Sequence, residues 1–462
     1  MKRSRAIEGK GPPVGYARRL ETGHHKGRCG AVEIECPQRQ VRVKAKKLAT
    51  LLRNAPMVVV HTGAGLSTAA GIPDFRGQRG VWTLEKQGQP LPEYERCWDN
   101  AVPTLGHMAL VGLVKEGLVH AIISQNVDGL HLRSGIPRDK LCELHGNLFM
   151  EVCAECQREV RRTADVGGVG FQKTGRDCPH CGGALIDVLL DWEDELRDYE
   201  KAVDLSKRCG QRGGVALCLG TSLQISPSKD LPAKADNMVI VNLQKTPKDD
   251  LAAIVINAKI DPVMRCVMQE LGIAIPDFRR VETLVVSHTC CRSNKEPLWR
   301  WTLAVGDAAD GARCGFVESM VVSFPGTKLA EARVSRPRVA RRVVCALVGL
   351  TTTAWLLAIS SSCLGSPCSR LYRRGPFRVS RATKAPEAPR DQSPGEGEAG
   401  GESGGSFIST VLRLNFVAAP GHPAPEPQSV EYGMDLSKSE DSKEVAVFLG
   451  EVAYPSSEQP KV

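Results

Sequence analysis

Between residues 41 and 278 the apolar positions switch between two periods, and the switching predicts a layered α/β domain. Leu48, Leu51, Leu52 and Ala55 recur at helical spacing, and Pro56 stops the helix they predict. Met57 to Val60 is then a short unbroken apolar run, read as a buried strand, which empties into HTGAGLSTAAG. Met108 to Val114 reads as a helix, and Ala121 to Ile123 as a strand leading into SQNVDG. Val215 to Leu219 predicts a strand ending in GTS, Met238 to Leu243 one ending in Asn242 and Gln244, and Val263 to Leu271 a closing helix. Unbroken apolar strands suit a parallel sheet covered on both faces. Ligands of such sheets sit beyond the carboxyl ends of the strands, so the four polar tips predict one shared site.

The flanks change character. Residues 1–40 are basic, with Gly and Pro, and read as an extended N-terminal arm. Residues 279–335 include LWRWTLAV and MVVSF, two candidate strands of a small β-rich unit. Residues 336–462 hold a basic cluster (Arg336, Arg338, Arg341 and Arg342, preceded by Arg333), an uncharged stretch and Pro/Gly/Glu/Ser-rich sequence. They read as a largely disordered tail. The uncharged stretch, residues 343–364, is long enough for a membrane span. Its threonines and serines weaken that reading, a buried segment of a C-terminal domain or an artefact of gene prediction being the alternatives, and no membrane association is expected.

Composition adds limits. With 42% hydrophobic and 24% charged residues in 462, a sizeable core can be buried. The net charge of +9 permits an acidic partner, such as nucleic acid or chromatin, without demanding one. The 17 cysteines form no dense framework, which argues against a secreted disulfide scaffold. MKRSRAIEGKGPP has no apolar stretch behind its basic residues, so it is not read as a secretory signal.

Two cysteine pairs stand out. Cys153/Cys156 and Cys178/Cys181 are CxxC knuckles with 21 residues between them, close to the spacing of four-thiolate zinc ribbons. Four protein ligands leave no open coordination position, so the zinc is expected to be structural, with His180 a bystander. The zinc-ribbon insert is placed at about residues 150–188. In HTGAGLSTAAGIPDFRG, glycines allow close approach to a phosphate, with a helix N-terminus expected nearby. Gly63, Ala64 and Gly65 open this loop and Asp74, Phe75 and Arg76 follow in it. The dinucleotide fingerprint GxGxxG is missing, which argues against a hydride-transferring dehydrogenase. His145, on a loop before the apolar Leu148, Phe149 and Met150, is placed to act as a general base.

TGAGLS, GIPDFRG, SQNVDGLH, ELHGN, the two CxxC pairs, GTSLQ and IVNLQ together resemble the sirtuins, in that family's order, over roughly residues 14–278. GVWTLEKQG, HLRSGIPRDKL, LDWEDEL and VNLQKTPKDD are similar to its nuclear, chromatin-associated class IV branch, and the last of these looks most like plant and algal members. The resemblance implies a Rossmann-like NAD-binding domain with a zinc ribbon inserted, NAD and an acyl-lysine peptide meeting in the cleft between them. It implies an NAD site lined by Gly63, Ala64, Gly65, Thr68, Asp74, Phe75, Arg76, Trp82, Gln125, His145, Gly220, Thr221, Ser222, Asn242, Leu243, Gln244 and Ile260. His145 would be the catalytic base, with Asn126 and Asp128 suited to ribose and nicotinamide contacts, and Cys153, Cys156, Cys178 and Cys181 would hold zinc.

The expected activity is NAD-dependent removal of acyl groups from protein lysines, histone tails among them, in the nucleus. Nicotinamide and O-acyl-ADP-ribose would be the co-products, NAD being consumed. Two alternatives stay open: mono-ADP-ribosylation of proteins on the same fold, and a chromatin scaffold that binds NAD without turnover.

Overall fold

The computed structural model describes residues 15–21, 26–90, 98–292, 299–307, 317–323, 332–335, 343–351, 354–358, 407–416, 424, 426–435 and 440–454. In the first half of the chain, β1 (Val58–Thr62), β2 (Ala121–Ser124) and β3 (Leu141–Glu143) are laid side by side. An insert follows, made of β4 (Met150–Cys153), β5 (Glu159–Arg161), β6 (Lys173–Asp177) and β7 (Ala184–Asp187). The chain then returns to the other edge of β1 with β8 (Val215–Leu219), β9 (Asn237–Val241) and β10 (Ile254–Ile256). All pairings in this six-stranded sheet are parallel, in the order β10-β9-β8-β1-β2-β3. That is the doubly wound order, with its topological switch between β1 and β8. Every residue of β1 and β8 is buried, including His61 and Thr62 at the end of β1's apolar run.

Helices cover both faces. On one, α2 (Gln38–Asn54), α4 (Leu105–Lys115) and α7 (Ile260–Leu271) pack through Leu48, Leu52, Leu110, Leu113, Met264 and Val267 against Val58, Val60, Leu217 and Val239. On the other, α6 (Tyr199–Cys209) lays Ala202 and Leu205 over Met57, Val59 and Ile123. α1 (Gly15–Arg19), α3 (Val81–Lys86) and α5 (Leu130–Ser134) are short and sit in loops. Thr104 caps α4, its hydroxyl accepting from the His107 amide at 3.3 Å, so this helix starts three residues before its apolar run.

The insert is a four-stranded antiparallel sheet, order β5-β4-β7-β6. Leu148 and Phe149, expected to begin a strand, instead lead into it; β4 starts at Met150. The expected helix after the glycine loop is replaced by two 3₁₀ turns, Ala64–Leu66 and Thr68–Ala70. Gly71, at φ +80°, ends the second turn before a full helix can form.

Two readings of the flanks are corrected. Much of the N-terminal arm is built into the domain. Ile34 N donates to Leu243 O (2.8 Å), Cys36 N to Asn257 O (2.7 Å) and Gly30 N to Arg76 O (3.0 Å), Arg19 pairs with Asp165 (2.6 Å), and α2 already begins at Gln38. Strands run through 279–335, where two are expected at LWRWTLAV and MVVSF, and also through described parts of 336–462, read as largely disordered. β11 (Phe278–Arg292), β12 (Trp299–Asp307), β13 (Val317–Ser323), β14 (Ala332–Ser335), β15 (Val343–Thr351), β16 (Ala354–Ala358), β17 (Phe407–Phe416), β18 (Gln428–Asp435) and β19 (Glu440–Val452) form two antiparallel sheets. Their orders are β16-β15-β12-β11-β19 and β14-β13-β17-β18.

Alternation is the cause. Leu284, Val286 and His288 on β11, Leu412 and Leu414 on β17, and Val447 and Leu449 on β19 are buried at every second position. The uncharged stretch supplies β15 and β16, and no helix among the described residues is long and apolar enough to cross a membrane. The Pro/Gly/Glu-rich run of 385–406 lies outside the described residues, as do residues 1–14. The extension docks where it leaves the domain: Phe278 joins the main core, Val452 and Tyr454 pack on it, and Tyr454 donates to the Pro103 carbonyl.

Candidate active site

The tips of β1 and β8 cross so closely that only glycine fits. Gly65 N donates to Gly220 O at 2.9 Å. Gly220 has φ +61°, and a Cβ there would lie 2.5 Å from Leu66 N; one on Gly63 would lie 2.8 Å from Gly220 O. Gly220→Ala therefore adds left-handed strain of about 1–2 kcal/mol to a backbone clash. The expected outcome is a loss of a few kcal/mol in denaturant unfolding; an unchanged midpoint would show that the two loops separate freely.

Around this crossing lies a cavity of about 630 Å³. All seventeen residues expected at the NAD site line it, together with Asn126. β1 gives it Gly63–Gly65 and Thr68, and the next loop gives Asp74, Phe75 and Arg76; β2 ends in Gln125 and Asn126, β8 in Gly220–Ser222, β9 in Asn242–Gln244, and α7 starts with Ile260.

Asp128 is not among the residues that line the cavity. It is buried, and its carboxylate accepts from Ser67 Oγ (2.6 Å) and Leu130 N (2.9 Å). Asn126 Nδ2 in turn donates to Ser67 Oγ and Gly63 O, both at 3.2 Å. Asp128 thus fixes Ser67, and Ser67 helps fix Asn126 at the wall. Burial pushes the Asp128 carboxyl up and the Ser67 hydrogen bond pulls it down.

His145 follows β3 on the cavity wall, with Nδ1 2.9 Å from Gln125 O. A carbonyl only accepts, so Nδ1 carries the proton and Nε2 keeps its lone pair. Burial lowers the imidazole to about 4, the Gln125 carbonyl opposing and Arg76 reinforcing, so the ring is neutral at neutral pH. Gly146, at φ +85°, sits where a Cβ would lie 1.9 Å from Val188 O, so the loop bearing His145 is clamped against the chain leaving the insert.

Arg76 donates from Nε to Lys26 O (2.9 Å) and stacks on Trp82, its Cζ 4.5 Å from the ring centroid. Burial lowers it to about 10, so it stays charged. Its Nη2 and Trp82 Nε1 are buried donors without a partner, both belonging to cavity residues. Cationic and neutral donors left unmatched beside glycine loops fit a ligand bearing phosphates and hydroxyls.

Other lining residues were not singled out from sequence. Tyr16 stands alone in a basic, Gly-containing segment, yet its hydroxyl donates to Leu190 O (3.4 Å) and its ring meets Phe75 at 6.3 Å. Trp192, from LDWEDEL, extends an aromatic run with Trp82 (5.4 Å) and Phe75 (Phe75 to Trp82, 4.6 Å). An aromatic within an acidic loop was the signal that could have found it. Glu33 lines the opposite rim, where its backbone bridges to Gln244.

In the insert, the sulfurs of Cys153, Cys156, Cys178 and Cys181 all lie within 4.8 Å of one another. Cys153–Cys181 is 3.4 Å and Cys156–Cys178 3.7 Å. Zinc–sulfur bonds of about 2.3 Å at tetrahedral angles put sulfurs about 3.8 Å apart. The donor set fits one structural Zn²⁺, and His180 is outside the cluster.

Residues 91–227 match the Sir2 family. The chain is 42% identical over 318 residues to NAD-dependent protein deacetylase SRT1 of Arabidopsis thaliana, covering 67% of each chain. It is 41% identical over 276 residues to NAD-dependent protein deacetylase Sirt6 of Drosophila melanogaster, 57% of this chain and 86% of that one. A solved structure described as Sir2-p53 peptide-NAD+ is 29% identical, covering 49% of this chain and 98% of that chain, with a TM-score of 0.38. A parallel doubly wound sheet with a four-thiolate insert and one cavity at the switch point defines the class, and the chain belongs to the Sir2 family.

Proposed function

We propose that this protein is an NAD-dependent protein-lysine deacylase. The observation that carries the reading is His145: a neutral imidazole, its Nδ1 tied to Gln125 O, in a cavity shared by all four strand tips. NAD is the co-substrate, and its chemistry is departure of nicotinamide as the acyl oxygen bonds to the ribose carbon. For that step the protein must hold two reactants close. Asn126, fixed by Ser67 and Gly63 O, is suited to the ribose and nicotinamide end. Arg76 is suited to the phosphates, Asn242 and Gln244 to the far ribose, and Phe75 to shielding the reactive carbon from water. His145 Nε2 then takes a proton from a ribose hydroxyl, which attacks the acyl carbon; the bond from that carbon to the lysine nitrogen breaks, the amine takes up a proton, and one water adds to the carbon so that a single ribose ester remains. Deacylated lysine, nicotinamide and O-acyl-ADP-ribose leave.

The substrates are acylated proteins, and we infer histone tails or other nuclear proteins as targets, with the nucleus as the place of action. The net charge of +9, the arginine cluster at 333–342 and the class IV motifs support this. Incubating the protein with NAD and a panel of acylated histone peptides tests the reading by mass spectrometry. Loss of the acyl mass with O-acyl-ADP-ribose formed is expected. Gain of ADP-ribose on the peptide would assign the site to ADP-ribosyl transfer, and an unchanged peptide would leave only a binding role.

A further inference from the structure

α2 packs one face on the core through Val41, Ala45, Leu48, Ala49 and Leu52. Its other face is a row of cations. Six of its 17 residues are basic (Arg39, Arg42, Lys44, Lys46, Lys47 and Arg53) and none is acidic, within a chain whose whole net charge is +9. Arg39, Arg42 and Lys46 fall at spacings of three and four, one stripe on the helix surface, with Lys47 beside them and Arg53 further along. All five are exposed. Lys44 is engaged with Val255 O (2.7 Å), and Arg53 with Glu270 O (3.1 Å).

Stability alone does not explain this arrangement. The N-terminus of α2 has Pro37 at its cap with no side-chain hydrogen bond, and no acidic residue in its first turn. Arg39 stands there instead, where the helix dipole disfavours a cation. A local rule broken without a structural gain marks a surface kept for another purpose.

We propose that the outer face of α2 binds the phosphate backbone of a nucleic-acid duplex. Seventeen helical residues span about 25 Å, alongside a duplex that presents one phosphate charge per about 1.7 Å of its axis. A membrane surface fits poorly, because interfacial helices need a free apolar face. Here that face is used in the core, and only Val43 stands exposed among the cations. No α2 residue lines the cavity, so a bound duplex leaves the catalytic cleft open.

The test uses the full chain and a short mixed-sequence DNA duplex, read by fluorescence anisotropy across a salt series. The parent should bind with affinity falling steeply as salt rises, by about 0.9 log units per log unit of salt for each phosphate neutralised. Arg39→Glu/Arg42→Glu/Lys46→Glu should weaken duplex binding about tenfold or more and reduce the salt slope by about three. Its melting temperature should not fall, because Glu at position 39 suits the helix dipole. Turnover of a short free acyl-peptide should be unchanged, which separates this proposal from the deacylase reading. If the triple variant melts lower, Lys46→Gln/Lys47→Gln carries the same comparison with a smaller expected loss. Duplex affinity equal to the parent's in a folded variant overturns the proposal. So does a parent that binds a polyglutamate peptide as tightly as the duplex, which would assign the face to an acidic protein.

Discussion

His145→Ala should lower kcat/KM for deacylation about 10²–10⁴-fold while the protein stays folded, the range a positioned general base contributes. The residue makes one side-chain hydrogen bond, to Gln125 O, so its removal deletes little that supports the fold. The same geometry fixes a pH signature. The free ring titrates near 4, displaced by burial from its ordinary value near 6.5. A base must be unprotonated to act, so loss of activity on acidification should begin well below pH 6.5, and kcat/KM should stay level from neutral pH to about 5. Peptide turnover measured across that range, with melting temperature as the control for folding, checks both statements. An acid limb centred near 6.5 in the parent, or near-parental turnover in the variant, would transfer the proton to another group.

The strand-tip site was legible because β1, β2, β8 and β9 are unbroken apolar runs whose ends change abruptly to Gly, Ser, Asn and Gln. β3 and β10 were not, being three residues each, too short for any period to show. The cysteine knuckles were legible from spacing alone, since a metal constrains its ligands within a few residues. What sequence could not show for Asp128, two residues from Asn126, is that the chain turns its carboxylate inward to Ser67. Tyr16 and Glu33 were hidden for a different reason. They belong to a segment whose composition reads as an arm: backbone hydrogen bonds to Arg76, Leu243 and Asn257 order the stretch around Glu33, and contacts to Leu190 and Asp165 hold Tyr16 and Arg19, partners that no local pattern reveals. In the C-terminal extension, the neighbouring Pro/Gly/Glu-rich run dominated the reading, although FISTVLRLNF alternates at period two.

Cys178→Ser should release the zinc and unfold the insert, and with it most of the activity. The apolar core of the insert consists of Cys153, Val160, Cys178 and Leu185, so two of its four members are thiolates of the metal site. Burying Val160 and Leu185 contributes about 1.5–3 kcal/mol each, against about 1–2 kcal/mol of backbone entropy for every residue ordered. The metal must supply the difference, as it does in small ribbons where affinity for zinc is folding energy. The loss travels to the site through the two chain crossings. On entry, Leu148 N donates to Val127 O (2.9 Å), and on exit Leu190 N donates to His145 O (3.3 Å). Gly146 and Val188, clamped between them, hold the turn that aims His145. Elemental analysis should find less than one zinc per chain, and proteolysis should cut within 150–188 before the α/β domain. Parental zinc content in the variant would remove Cys178 from the ligand set. Full turnover without zinc would show that the sheet of β4–β7 stands without its ion, and that His145 is aimed by the α/β domain alone.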